Sequence, residues 1–100
     1  MSFSDDEALT QAIVQATDRL HRCALATGLT VSGDLRVNER DAALLIGYSH
    51  GHMKALRQQG NGPRVYALGV AGGRYSYRLD DLASWVEMAA ERRAAASNGR

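Results

Sequence analysis

The chain has 100 residues, 45% of them hydrophobic, and a formal net charge of +1. That length suits one small domain, and that apolar content supports a modest core, which excludes a disordered chain. No apolar run approaches the ~18 residues that a membrane span needs. The acidic opening Asp5-Asp6-Glu7 is unlike a secretory leader, so the expected compartment is the cytoplasm. Cys23 is the single cysteine, which excludes an internal disulfide; it is expected to pack as a small residue.

In chain order, the first element is a helix. Ser4 and Glu7 form a capping box, and Asp5 and Asp6 suit the positive end of a helix dipole. Leu9, Ile13, Ala16, Leu20 and Ala24 recur at spacings of three and four, which predicts a helix over 5–27. Gly28 follows it, where a left-handed conformation costs little. Residues 29–36, with turn chemistry in Thr30-Val31-Ser32-Gly33-Asp34, read as a connector.

Asn38 then caps a second helix with Glu39 and Asp41 in its first turn. Ala42, Ala43, Leu45 and Ile46 supply its buried side, and Gly47 ends it. Ser49 caps a third helix, which runs to about Gln59 and is closed by Gly60. Met53 and Leu56 should face the core. Two short helices across the three-residue turn Gly47-Tyr48-Ser49 carry the helix-turn-helix signature.

After the loop Asn61-Gly62-Pro63, residues 64–70 alternate as a strand, with Val65 and Ala67 opposite Tyr66 and Leu68. Ala71-Gly72-Gly73 makes a turn that needs a positive φ, which valine at Gly73 would resist. Residues 74–78 return as the second arm of a β-hairpin. Asp80 or Asp81 starts a last helix, with Leu82, Trp85, Val86 and Ala89 as its apolar stripe. Residues 94–100 lose the period and are expected to fray.

Charge is segregated along this order. Residues 1–41 carry four Arg against seven Asp and Glu, and residues 80–100 carry three Arg against four acids. Between them, residues 42–79 hold Lys54, Arg57, Arg64, Arg74 and Arg78 and no acid at all. A concentrated positive field in a nearly neutral chain points to a polyanionic partner.

The stretch from Leu35 to Glu87 resembles the excisionase/AlpA-type domain, a small relative of the MerR DNA-binding domain. The resemblance rests on "RDAALLIGYS", on "GPRVYALGVAGGRYSYRLDDLASWV", and on a closing helix that begins Asp81-Leu82-Ala83-Ser84-Trp85. It implies a mostly α fold with a small β-hairpin: a winged helix-turn-helix over 35–93. An extra N-terminal helix and connector at 1–34 precede it, and a frayed tail at 94–100 follows. Family recognition helices often read Ser-Arg-Ser-Thr-Val-Tyr-Arg, where this chain has Ser49-His50-Gly51-His52-Met53-Lys54-Ala55. That departure concerns the target sequence rather than the fold.

The expected function is sequence-specific binding of duplex DNA, with no catalytic residue, cofactor or metal. A helix fits the major groove and its N-terminal residues reach base edges, which selects Ser49, His50, Gly51, Lys54 and Arg57. Arg74 at the hairpin tip suits a minor groove or a phosphate, and Arg64 and Arg78 suit backbone phosphates. His50 and His52 point to different sides of a helix and make a poor metal pair. Tyr66, Tyr75 and Tyr77 divide between phosphate contact and packing, and Trp85 belongs to the core. The resemblance implies an excisionase that directs a recombinase, a transcriptional regulator, or a recognition factor for phage or plasmid replication or packaging. A protein-interaction module that has lost DNA binding is the alternative of a different class. The apolar arc of the 5–27 helix, widened by Val14, His21 and Leu25, is expected to pair two copies of the chain as a homodimer.

Overall fold

The computed structural model describes residues 5–98, with side chains described as far as Arg93. Among them are four helices and one two-stranded sheet: α1 (Asp5–Ala26), β1 (Arg36–Asn38), α2 (Glu39–Ile46), α3 (His50–Gln59), β2 (Ser76–Arg78) and α4 (Leu79–Asn98). Ser4, half of the expected capping box, lies outside the described residues. None of these helices is long and apolar enough to cross a membrane.

α1 opens on three acids and stops where the sequence says it should. Gly28 takes φ +76°, and the Leu29 N–H donates back to the Ala24 carbonyl at 2.9 Å. The helix lies against α4. Leu9 sits beside Met88 and Glu91, whereas Ala16 and Leu20 sit beside Ala83 and Glu87, so the two helices run antiparallel. Ala16 and Ala24 are buried, and small residues here let the helix backbones approach closely. An Arg19–Glu87 ion pair at 3.6 Å crosses the seam. The N-terminal segment is therefore packed onto the unit that follows it. Val14 and Leu25 remain outside, 62% and 61% exposed, with the Asp18–Arg22 pair at 3.0 Å on the helix between them. Cys23 is exposed, contrary to expectation. It sits one position before Ala24, about 100° around the helix from the face that meets α4.

The segment read as a connector holds a strand. Ser32 to Leu35 form a turn, with Leu35 at φ 61°, and the chain then enters β1. β1 pairs antiparallel with β2 in the register Arg36–Arg78, Val37–Tyr77 and Asn38–Ser76. The partner of β2 in the sheet is thus residues 36–38, forty residues away, and not the predicted arm at 64–70. That arm pairs at two points only, Tyr66 with Ser76 and Val70 with Gly73. Its composition explains this. Pro63 just before it has no N–H to give, and Gly69 interrupts the run.

The turn itself is a two-residue type. Val70 and Gly73 exchange both backbone hydrogen bonds, at 3.2 and 2.9 Å, around Ala71 at φ 51° and Gly72 at φ 82°. Positive φ at both central residues is the type I′ signature of tight hairpins. Gly73 does not share it. Valine is excluded there by contact instead, because a Cβ at Gly73 would lie 2.7 Å from the Asn38 Cβ.

α2 and α3 follow their caps closely. The Asn38 side chain accepts the Asp41 N–H at 2.8 Å, and Gly47 at φ 81° ends α2. The Ser49 hydroxyl accepts the His52 N–H at 3.0 Å, and Gly60 at φ 71° ends α3. The core comprises Val37, Ala42, Ala43, Met53, Tyr77, Leu79 and Leu82, with Leu56 only half-buried. On α4 the predicted stripe is rotated slightly: Ala83 is fully buried, whereas Val86 is 39% exposed. Trp85 is half-buried at the core margin. α4 continues to Asn98, through the stretch where the sequence suggests fraying.

Gly73→Val is expected to destabilise the protein by about 1–3 kcal/mol through overpacking against Asn38. Gly33→Ala, at an open position without positive φ, should leave stability unchanged. Urea unfolding of both variants checks this; equal stabilities would mean that the loop relaxes around the added side chain.

Candidate nucleic-acid interface

A cleft of about 410 Å³ opens between α3, the start of α2 and the 71–75 turn. Arg40, His50, Lys54, Arg57, Arg74 and Tyr75 are among the residues lining it. Three of these come from one face of α3, because 50, 54 and 57 follow the helical spacing of four and three. Arg40 is the second residue of α2, brought to the cleft by the Asn38 cap. Arg74 follows the type I′ turn, whose geometry carries it back over α3.

The floor of the cleft is a buried carboxylate. Glu39 is 7% exposed. The Arg57 Nε donates to its Oε2 at 2.6 Å and the Nη2 to Oε1 at 3.4 Å. The Tyr77 hydroxyl donates to Oε2 at 2.8 Å, and the His50 Nε2 lies 3.4 Å from Oε1. The Arg57 guanidinium also stacks over the Tyr75 ring, 3.9 Å from its centroid. Burial alone would push the Glu39 carboxyl up, but the hydrogen bonds from Arg57 and Tyr77 overcome it and hold the group below its usual range. The same contacts act on the partners. The Glu39 hydrogen bond raises Arg57, while burial and then Glu39 raise the Tyr77 hydroxyl.

The cations around this floor are not equivalent. Arg57 is committed to Glu39, with only 16% of its side chain exposed. Arg40, Lys54 and Arg74 are exposed and make no ion pair among the described residues. Arg64 and Arg78 do not line the cleft at all. Arg64 lies 5.2 Å from the Tyr66 ring, and the Tyr66 hydroxyl donates to Asp81 at 3.4 Å. Arg78 pairs with Asp80 at 3.2 Å, which raises its pKa. Burial, then the neighbouring Asp80, raises the Asp81 carboxyl.

The N-terminal turn of α3 completes the surface. Ser49 is engaged as the cap, and α3 carries no acid in its first turn. Gly51 faces open space, since a Cβ there would meet nothing within 4 Å. His52 is exposed but not merely solvated: its ring stacks on Tyr48 with centroids 4.5 Å apart. The Tyr48 hydroxyl in turn accepts the Trp85 indole N–H at 3.3 Å. Among the described residues, no three His, Cys, Asp or Glu side chains converge as metal ligands.

Of the residues selected from sequence, the structure gathers His50, Lys54, Arg57 and Arg74 into one cleft and places Ser49 and Gly51 at the start of α3. It sets Arg64 and Arg78 apart. Arg40 and Glu39 were missed. Arg40 precedes the acid-free window and so stood in a segment of net negative charge. Glu39 reads as an ordinary first-turn acid, and nothing local announces a partner eighteen residues later. No family model, no curated protein and no solved structure matches this chain.

Glu39→Gln is expected to lower stability near neutral pH by about 1.5–3 kcal/mol, the scale of a hydrogen bond to a charged group. The folded-state pKa of Glu39 is depressed, so its contribution is present above the unfolded glutamate range. It is lost as pH falls through the folded value. The gap between wild type and variant should therefore close in acid. A gap that stays constant down through the acid range of a thermal-melt series would show that the ionised carboxylate is not what stabilises the cleft.

Proposed function

We propose that this chain is a non-enzymatic, sequence-specific duplex-DNA-binding protein of the excisionase and MerR-like winged helix-turn-helix type. In this reading α3 is the recognition helix and the 61–75 loop is the wing. The observation that carries it is the convergence of three cations, Arg40, Lys54 and Arg74, that make no ion pair among the described residues, beside the exposed N-terminal turn of α3. The acid in their midst, Glu39, is held by Arg57. An α-helix fits the major groove, and a basic loop at its side suits the adjacent groove or backbone. Excision with a recombinase, transcriptional regulation, and target recognition in replication or packaging all use such a surface.

Gly51 adds support of a different kind. A glycine inside an exposed helix costs about 1 kcal/mol against alanine. Nothing packed against the helix at this point needs the missing Cβ, as beyond the chain neighbours and the helix's own backbone no described atom lies within 4 Å of its position. A partner that approaches the helix backbone closely would need it. Pairing of two copies through α1 would have to use Val14 and Leu25, which are exposed on either side of Asp18–Arg22. Light scattering tests this part: a dimer mass abolished by Val14→Asp with Leu25→Asp supports it, and a monomer mass throughout rejects it.

Titration of duplex DNA at several salt concentrations tests the main reading. Arg40, Lys54, Arg64 and Arg74 make no ion pair among the described residues, so a log–log slope of about −3.6 is expected at ~0.9 per phosphate. Binding that ignores salt, or no binding to any duplex, would overturn it. Lys54→Ala should blur the preference for a target, at roughly 1–3 kcal/mol of discrimination, whereas Arg64→Ala should weaken all sequences alike. Gly51→Ala, in the first turn of α3, should raise stability by at most about 1 kcal/mol and still weaken DNA binding. Unimpaired binding by that more stable variant would mean the glycine is only a tolerated defect.

A further inference from the structure

Resting on this reading, we infer that the cleft beside α3 seats one phosphodiester strand. Arg40 from α2 and Arg74 just after the type I′ turn grip it, and Arg57 prepares the seat without touching DNA. Three observations carry this. First, Arg40 and Arg74 come from different elements, α2 and the type I′ turn, yet line the same cleft. Both are exposed, and neither has an ion pair among the described residues.

Second, the cleft floor holds a carboxylate, which by itself would repel a phosphate. Arg57 cancels that charge at 2.6 Å, and Tyr77 adds a hydrogen bond at 2.8 Å. The Arg57 donors that face Glu39 are used, and the guanidinium plane is covered on one side by Tyr75 at 3.9 Å. A second anion therefore meets an Arg57 whose charge is already balanced by Glu39, while Arg40 and Arg74 have no carboxylate partner among the described residues. Third, the space is an open concave cleft of about 410 Å³ with Arg40, Lys54 and Arg74 among its lining residues, and a concave surface edged by cations suits a sugar-phosphate strand. Arg57 is in this sense a positioning residue. It holds α3, α2 and the 71–75 turn at one spacing, and it silences Glu39.

The test is the salt dependence of duplex-DNA binding, measured for variants that separate ligand from positioner. Arg40→Gln and Arg74→Gln remove exposed groups and should fold as wild type. Each should reduce the magnitude of the log–log slope by about 0.9, so that the affinity lost between about 50 and 200 mM salt becomes roughly 3.5-fold smaller. The double variant Glu39→Gln, Arg57→Gln removes both charges and should keep the wild-type slope while binding more weakly. On the wild-type protein, Arg Nε–H NMR signals read the same distinction without any substitution. Those of Arg40 and Arg74 should move on addition of DNA and that of Arg57 should not. An unchanged slope in Arg40→Gln, or an Arg57 signal that shifts as far as that of Arg74, overturns the assignment while leaving DNA binding intact. Wild-type protein that binds no duplex overturns the reading on which it rests.

Discussion

Glu39 holds the molecule's parts in register. One carboxylate joins α2, which carries it, to α3 through Arg57 and His50, and to β2 through Tyr77; the Arg57–Tyr75 stack extends the knot to the 71–75 turn. Removing a carboxylate from water is costly, and attraction to a partner repays it only when the geometry is good and the remaining lone pairs are used. Both conditions are met here, with two Arg57 contacts and the Tyr77 hydroxyl. The asymmetry of such sites matters. Loss of Arg57 alone leaves an uncompensated carboxylate at the cleft floor, which typically costs about 3–5 kcal/mol, whereas loss of Glu39 leaves a guanidinium that still reaches solvent and costs less. An apolar core could supply stability as well, but it would not fix the distance between α3 and the turn that faces it.

Local chemistry was legible in the sequence, and distant pairing was not. Asn38, Gly47, Ser49 and Gly60 each cap or stop a helix through bonds to residues within five positions. Such signals survive without tertiary knowledge, and the bounds of α2 and α3 follow from them. β1 failed to appear because the alternation of Arg36, Val37 and Asn38 spans three residues, too few to stand out as a strand. They are a strand only because Tyr77 and its neighbours lie alongside. The opposite error at 64–70 has the same origin. That run has the alternation of a strand, but only Tyr66 and Val70 find backbone partners.

The candidate site divides in the same way. Counting charges by segment located the basic region, and spacing on α3 put His50, Lys54 and Arg57 on one face. The count could not tell a free cation from a committed one. Arg57 belongs to Glu39, Arg78 to Asp80 and Arg36 to Asp34, whose carboxyl is held down to about 2 by hydrogen bonds from Arg36 and Ser32. Arg40, from a segment with net negative charge, stands free in the cleft. The electrostatic character of a surface is decided by which pairs the fold closes, and those pairs join residues as far apart as 19 and 87.

The chain of contacts from His52 through Tyr48 to Trp85 gives the protein an optical reporter. Trp85 is its single tryptophan. Its indole N–H rests on a hydroxyl whose ring is stacked on the third residue of α3. Any event that shifts the start of that helix alters the polarity around the one dominant fluorophore. Emission from Trp85 therefore follows the α2–α3 turn directly, in the native chain and without a label.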